Sequence, residues 1–147
     1  MSELSIGQRA PEFELRSTTG STARLADYLG KKVVLYFYPK DDTPGCTIEA
    51  CGFRDDYNKI KEKGGEIIGI SVDDIDSHNA FKSKYNLPFP LVSDTTTEVA
   101  QKYGVLGTDK ATRVTFIIDK EGKIAEIFPK VEPDKHAAEV LSVLDRI

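Results

Sequence analysis

Apolar and polar residues follow one another along the chain in a pattern that predicts strands separated by helices. Residues 33–38 ("VVLYFY") and 66–72 ("EIIGISV") are almost continuously apolar, which is typical of strands buried on both faces of a sheet. Alternating residues on either side of Gly20, within 11–25, predict an N-terminal β-hairpin. Three shorter strands are predicted at 89–94, 114–119 and 123–128.

Between these strands the apolar residues recur at helical spacing. Gly64 and Gly65 end the first predicted helix, and Pro88 follows the second. Buried strands that alternate with helices predict an α/β fold, in which helices flank a central mixed β-sheet. Ligands in such folds gather where strands end and helices begin. Four helices are predicted, at about 43–63, 76–85, 96–104 and 134–147. The last carries an apolar stripe of Ala137, Val140, Leu141, Leu144 and Ile147.

The chain has 147 residues, which predicts a single domain spanning 1–147. A domain of this length buries roughly 68–70% of the surface of its unfolded chain, so it needs no cross-link to hold a core. Lys and Arg are mixed with Asp and Glu, and the net charge is −4, so no basic stripe indicates nucleic acid. No apolar stretch approaches the ~20 residues of a membrane-spanning helix.

The N-terminal stretch, "MSELSIGQRAPEFEL", lacks the basic and apolar regions of a signal peptide, and it is not an Arg-rich transit peptide. We therefore expect a cytoplasmic protein, in which thiols are usually kept reduced. This expectation weakens the interpretation of Cys46 and Cys51, the two cysteines of the chain, as a permanent structural disulfide.

The two histidines, His78 and His136, are far apart in the sequence, so a zinc site with recognisable ligand spacing is not predicted. His78 shares a helical stripe with Phe81 and Tyr85, which indicates a packed helix residue. We expect His136, in the first turn of the last helix, to lie on the surface.

Both cysteines lie near the start of the first predicted helix. Thr43 suits the N-cap, and Pro44 suits the first helical position because its missing N–H is not needed there. Cys46 then occupies the third position, where free backbone N–H groups and the positive end of the helix dipole favour a thiolate. Since the thiolate is the reactive form of cysteine, this position indicates a nucleophile.

Helical spacing turns the two cysteines in different directions. In an intact helix their Cα atoms would lie ~8.6 Å apart, whereas a disulfide needs roughly 4.4–6.8 Å. They can bond only if the helix unwinds locally, and Gly52 weakens it there. The residues alone leave two interpretations open: a pair that joins transiently, or a buried free Cys46 with an incidental Cys51. The face shared with Cys46, which predicts that it points into the core, is formed by Ala50, Phe53, Tyr57 and Ile60.

The segment "PKDDTPGC" (39–46) has the P-x-x-x-T-x-x-C signature of peroxiredoxins, and the chain resembles that family. "TPGCTIEAC" (43–51) is similar to the bacterioferritin comigratory protein branch, also called peroxiredoxin Q. "RVTFIID" (113–119) resembles the arginine-bearing strand of the family. The likeness runs from "GQRAPEFEL" to "HAAEVL" in the last helix, so it covers nearly the whole chain.

This resemblance implies a thioredoxin-like fold and the reduction of hydrogen peroxide and organic hydroperoxides without a metal, haem or flavin cofactor. Matched by position, Cys46 is the peroxidatic cysteine and Cys51 the resolving one, while Pro39, Thr43 and Arg113 complete the pocket. Oxidation would produce a Cys46–Cys51 disulfide, which thioredoxin or a similar dithiol, such as a glutaredoxin-like donor, would reopen. Members of this branch are often monomers, so we expect a monomer or at most a weak dimer.

Three residues are predicted to help Cys46. Arg113 has a fixed fork of donors that would stabilise the thiolate and the leaving oxygen, although it could instead form a surface ion pair. Free N–H groups near Gly45 would supply further donors. Glu49 is either a solvated helix residue or an anchor for a nearby donor, and we favour the supporting role.

Two other functions compete with the peroxidase. A thioredoxin-like disulfide oxidoreductase normally uses C-x-x-C and a proline before the threonine of a strand. Here the spacing is C-x-x-x-x-C and Val114 precedes Thr115, so both features argue against it. A redox-sensing or holdase-type binding module, which oxidises but turns over slowly, stays open as an added role. Peroxide consumption with thioredoxin and its reductase would separate it from an enzyme.

Overall fold

The computed structural model describes residues 4–147 of the chain. The first residues of the N-terminal stretch that we inspected for a targeting signal lie outside this part. The strands are β1 Glu14–Ser17, β2 Thr22–Arg24, β3 Lys32–Phe37, β4 Gly65–Ser71, β5 Leu91–Ser93, β6 Val114–Ile118 and β7 Ile124–Phe128. The helices are α1 Pro44–Asp55, α2 Tyr57–Glu62, α3 Ile75–Tyr85, α4 Glu98–Lys102 and α5 His136–Arg146, and a 3-10 turn spans Leu25–Tyr28.

The strands form one mixed sheet in the order β2-β1-β5-β4-β3-β6-β7. Strand β3 lies parallel to β4 and antiparallel to β6. Leu35 of β3 is opposite Ile68 on one side and Phe116 on the other. The central mixed sheet that we predicted is therefore confirmed.

Successive side chains of β3 point to opposite faces of the sheet, so this strand contributes to two cores. Val33, Leu35 and Phe37 belong to the core on one face, which α4 covers. Val34 and Tyr36 belong to the core on the other face, which α1, α2, α3 and α5 cover. This two-sided burial explains why β3 is apolar at every position after Lys32.

The N-terminal hairpin is confirmed, but it is also part of the main sheet. Strands β1 and β2 pair antiparallel, with Leu15 opposite Ala23. Gly20, in the turn between them, has a φ of 92°, which glycine adopts without strain. Strand β1 also pairs with β5, where Arg16 is opposite Ser93, so the hairpin extends the sheet at one edge.

The prediction of one continuous helix over 43–63 is wrong. Helix α1 ends at Asp55 and α2 begins at Tyr57, with Asp56 between them at φ −101° and ψ 7°. The apolar stripe nevertheless continues across the break, because Ile60 of α2 is buried in the same core as Phe53 of α1. Apolar spacing identified the face that meets the core, but a one-residue interruption leaves that spacing almost unchanged.

Helix α5 packs on the same face of the sheet as α1. Val140 and Leu144 are fully buried, as the stripe predicted, whereas Ile147 is 40% exposed beyond the end of the helix. The ammonium of Lys32 donates to the carbonyl of Leu144 at 2.9 Å and satisfies one of the last backbone acceptors of α5. In residues 4–147, no helix is both long and apolar enough to cross a membrane.

Candidate active site

The connection between β3 and α1 carries the first group of predicted site residues. The backbone N–H of Tyr38 still donates to Ile70 of β4 at 3.1 Å, and the chain then leaves the sheet. Asp42 adopts the left-handed conformation with a φ of 59°. Thr43 returns to extended backbone as the N-cap of α1, and Pro44 begins the helix, as predicted.

Thr43 occupies the N-cap position, but its side chain makes no capping hydrogen bond to α1. Its Oγ1 instead donates to the backbone carbonyl of Lys40 at 2.9 Å. This bond uses the hydroxyl proton and leaves the oxygen lone pairs able to accept from another donor. Thr43 and Pro39 are both half-buried in the loop that precedes Cys46.

The first turn of α1 presents backbone donors next to the Cys46 sulfur. The first intrahelical bond runs from the N–H of Thr47 to the carbonyl of Thr43 at 2.8 Å, so the amides of Gly45 and Cys46 precede the helical ladder. A Cβ on Gly45 would lie only 3.0 Å from Nη2 of Arg113. Glycine at this position therefore lets the guanidinium approach the helix closely.

Strand pairing brings Arg113 to Cys46. Arg113 directly precedes β6, and the first residue of that strand, Val114, is opposite Phe37 at the end of β3. Because α1 starts just beyond β3, this register places Arg113 beside the first turn of the helix. Nη2 of Arg113 donates to Sγ of Cys46 at 3.3 Å, across 67 residues of sequence.

Glu49 holds the other side of the same guanidinium. Nη1 of Arg113 donates to Oε1 of Glu49 at 2.7 Å, and the Glu49 side chain is completely buried. Burial raises the pKa of Glu49 to about 7, even though the charge and the hydrogen bond of Arg113 oppose that change. Burial works against the charge of Arg113, but Glu49 and Cys46 outweigh it and raise the pKa of Arg113.

Both cysteines are free thiols on an intact α1. Cys46 is buried and packs in the core with Ala50 and Phe53, so the predicted core-facing direction is confirmed. Cys51 is half-buried on another side of the helix. The arrangement is that of a reduced pair, in which a bond between the sulfurs requires α1 to unwind.

A second polar cluster near the start of this loop was missed by the sequence analysis. Nδ1 of His78 lies 2.7 Å from Oδ2 of Asp41, and Nε2 lies 2.9 Å from the carbonyl of Val92. Tyr38 donates to Asp41 at 2.6 Å, and the Asp41 backbone N–H donates to Asp73 at 2.8 Å. His78 is packed, as predicted, but its polar partner lies 37 residues away and no local pattern points to it. The cluster joins the loop to the segment that follows β4, to α3 and to β5.

The surface position predicted for His136 is wrong, since its side chain is completely buried. Nε2 lies 2.7 Å from Oγ1 of Thr115 on β6, and Nδ1 lies 3.2 Å from Glu139. The ring packs edge-on against Phe53 and Phe128, at centroid distances of 5.5 and 5.0 Å. Burial lowers the pKa of His136. The first turn of α5 faces the sheet, which its sequence position does not reveal.

Comparison with protein families and curated proteins relates the chain to thiol peroxidases. A family model described as the AhpC/TSA family matches residues 6–127. The putative peroxiredoxin bcp of Coxiella burnetii is 49% identical over 150 residues, and the alignment covers 96% of this chain and 99% of that protein.

Solved structures of peroxiredoxin Q proteins are also similar to this chain. A mutant of PrxQ from Xylella fastidiosa has a TM-score of 0.94 at 30% identity, with 99% of this chain and 98% of that one covered. The bacterioferritin comigratory protein of Xanthomonas campestris, whose structure addresses its alkyl peroxide reduction activity, has a TM-score of 0.88 at 32% identity, over 91% of this chain and 90% of that one. These matches confirm the predicted thioredoxin-like fold.

Proposed function

The chain belongs to the AhpC/TSA family, in the Bcp or peroxiredoxin Q branch of the peroxiredoxins, and from this premise we propose that Cys46 attacks the peroxide. Membership makes the chain a thiol-dependent peroxidase, an oxidoreductase of a family that uses peroxides and thioredoxin-type reductants. One observation carries the assignment of Cys46: its sulfur, at the start of a helix, accepts from the guanidinium of Arg113 at 3.3 Å. The proposed substrates are hydrogen peroxide and organic hydroperoxides.

In the first step the Cys46 thiolate attacks one peroxide oxygen. The S–O bond forms as the O–O bond breaks, so sulfur is oxidised to a sulfenic acid while the leaving oxygen takes a proton and departs as water or an alcohol. Negative charge moves from sulfur to the leaving oxygen during this step. Arg113 and the backbone amides of Gly45 and Cys46 donate hydrogen bonds to the sulfur before the attack and to the leaving oxygen as it becomes negative.

The loop residues orient the peroxide in this proposal. Because the Thr43 hydroxyl donates to Lys40, its oxygen accepts from the O–H of the bound peroxide and turns the O–O bond toward the sulfur. Pro39 has no N–H that would compete for the peroxide oxygens, and it shields the pocket from water. Glu49 holds Nη1 of Arg113 so that Nη2 stays directed at Cys46.

In the second step Cys51 resolves the sulfenic acid. The Cys51 thiolate attacks the Cys46 sulfur, and the S–S bond forms as the S–O bond of the sulfenic acid breaks. The leaving hydroxide takes up the proton that the Cys51 thiol released and departs as water. An external dithiol then reduces the disulfide by exchange and is itself oxidised. We propose that thioredoxin, or a similar dithiol, supplies these electrons.

The proposal also covers the domain organisation, oligomeric state and localisation of the enzyme. We propose that residues 1–147 act as a single domain, which the continuous sheet from β1 to β7 supports. We further propose that the protein works as a cytoplasmic monomer that binds neither nucleic acid nor membranes. Its net charge of −4, with no basic stripe, supports the absence of a nucleic-acid partner.

Steady-state peroxide consumption with thioredoxin and its reductase tests the proposal in the wild type, Cys46→Ser and Cys51→Ser. Without Cys46 no activity is expected. Without Cys51 one fast oxidation is expected, followed by poor recycling with thioredoxin. Equal turnover in all three proteins would refute the roles of both cysteines.

A further inference from the structure

Helix α1 is fastened at both ends to the last turn of α3. At its C-terminal end, Nη1 of Arg54 donates to the backbone carbonyl of Tyr85 at 2.8 Å. Ahead of its N-terminal end, Asp42 accepts from the hydroxyl of Tyr85 at 2.9 Å and from the ammonium of Lys84 at 2.7 Å. One turn of α3 therefore contacts both flanks of the segment that holds the two cysteines.

The contacts on Asp42 hold the entry into α1. A non-glycine residue in the left-handed region persists only where its surroundings hold it there, and Asp42 has a φ of 59°. The hydrogen bond from Lys84 lowers the pKa of Asp42, so this carboxylate stays charged and keeps both partners. The loop that leads to Cys46 is thus tied to α3 independently of α1.

The contact of Arg54 restrains the opposite end of the helix. Arg54 lies three residues after Cys51, in the last turn of α1, and its side chain is 34% exposed. The carbonyl that it reaches is at the C-terminal end of α3, where the helix dipole favours a cation. Gly52, between Cys51 and Arg54, makes this turn intrinsically weak. An external restraint therefore contributes more here than it would in a strong helix.

We propose that the contact between Arg54 and Tyr85, the Arg54 tether, holds the turn that carries Cys51 in place and so limits how fast the Cys46–Cys51 disulfide forms. The inference rests on the proposed resolving role of Cys51. Five residues of intact helix keep the two Cα atoms ~8.6 Å apart, and a disulfide needs roughly 4.4–6.8 Å, so α1 must unwind between the two cysteines. The proposal places this unwinding in the turn of Cys51, which Gly52 weakens. Arg54 touches neither sulfur nor peroxide, which makes it a positioning residue.

The test compares wild type with Arg54→Met, which keeps an apolar stem but removes the guanidinium. Reduced protein is mixed rapidly with hydrogen peroxide, quenched with a thiol-alkylating reagent at successive times, and analysed by mass spectrometry for sulfenic acid and disulfide. The rate constant for disulfide formation should rise about three- to tenfold, as expected for the loss of one ordinary, partly exposed hydrogen bond. The rate constant for peroxide attack should not change, because the site of Arg113 is untouched.

Asp55→Asn is the matched control. Asp55 accepts from Nε of Arg54 at 3.1 Å, so this variant alters the other contact of Arg54 and leaves the tether to Tyr85 intact. It should form the disulfide at the wild-type rate. Arg54→Lys, which keeps a donor at a similar distance, should fall between wild type and Arg54→Met.

Hydrogen exchange on the reduced proteins supplies an independent readout. Amides in the last turn of α1 should exchange about three- to tenfold faster in Arg54→Met than in wild type, with β3 and β4 unchanged. The proposal would be overturned if Arg54→Met formed the disulfide at the wild-type rate or more slowly. It would also be overturned if peroxide attack and disulfide formation both slowed to the same extent in this variant. If wild type itself forms no disulfide, the resolving role of Cys51 is wrong. In that case hydrogen exchange still tests the tether, because an unchanged exchange rate in the last turn of α1 of Arg54→Met would contradict it.

Discussion

Arg113 and Glu49 form an ion pair at 2.7 Å in which the carboxylate is completely buried and the guanidinium is 20% exposed. In the described part of the chain, the second oxygen of Glu49 has no hydrogen-bond partner. One side of the pair faces the Cys46 sulfur and the other faces the core. The pair therefore directs the guanidinium toward the Cys46 sulfur. The loss of hydration of the buried carboxylate is only partly offset, because just one of its oxygens is hydrogen-bonded.

Replacing Glu49 by Gln should change the pH dependence of stability. Burial raises the pKa of Glu49 from 4.5 to about 7, so the folded protein holds this proton more tightly than the unfolded chain. The contribution of Glu49 to the free energy of unfolding therefore falls as pH rises from about 4.5 to about 7, by roughly 3 kcal/mol. Urea unfolding of both proteins across this window should show that wild type loses more stability than Glu49→Gln by this amount as pH rises, and identical pH profiles would contradict it.

Arg113→Lys should slow peroxide attack by about 10²-fold. A single ammonium cannot contact both the Cys46 sulfur and the Glu49 carboxylate in the geometry of the guanidinium fork. The second-order rate constant for oxidation by hydrogen peroxide, measured by rapid mixing, checks this. Arg146→Lys is the control, because Arg146 is 63% exposed and pairs with Glu126 far from Cys46 in the sequence. Similar rates in the two variants would argue against a role for Arg113.

Gly45→Ala should also slow peroxide attack, by about tenfold, because its Cβ would lie 3.0 Å from Nη2 of Arg113 and displace the guanidinium. Gly52→Ala, which makes the same substitution in the same helix, is the matched control. A Cβ there meets Ala137 at an ordinary 3.8 Å, so peroxide attack should be unchanged and the protein stabilised by about 0.5–1 kcal/mol. Rapid mixing and thermal unfolding measure the two effects. A loss of rate in Gly52→Ala as large as in Gly45→Ala would show that the proximity of Arg113 is not the cause.

Thr115→Val should destabilise the protein by about 1–3 kcal/mol. Thr115 is completely buried, and its hydroxyl pairs with Nε2 of His136 at 2.7 Å. Valine has the same shape but leaves that ring nitrogen buried without a partner. The midpoint of urea unfolding at neutral pH provides the measurement. A midpoint equal to that of wild type would mean that the bond adds nothing to stability.

Local chemistry explains which features the sequence could predict. The continuous apolar run of β3 indicated a strand buried on both faces, and Thr43 and Pro44 marked the start of α1 correctly. The sequence-based predictions failed where the same local pattern is compatible with more than one structure. The interruption at Asp56 hardly alters apolar spacing, and the hydroxyl of Thr43 bonds to the Lys40 carbonyl instead of capping the helix.

The chain by itself determined which segments form strands and helices, apart from the break at Asp56. It also determined which helix faces are apolar and that Cys46 stands at a helix start, because these features depend on residues close in sequence. Only the tertiary structure decided that Arg113 reaches Cys46 and Glu49, and that His136 is buried. The reason is physical: the register between β3 and β6 and the packing of α5 join residues far apart in the chain. Such pairings are set by the whole core rather than by any local pattern.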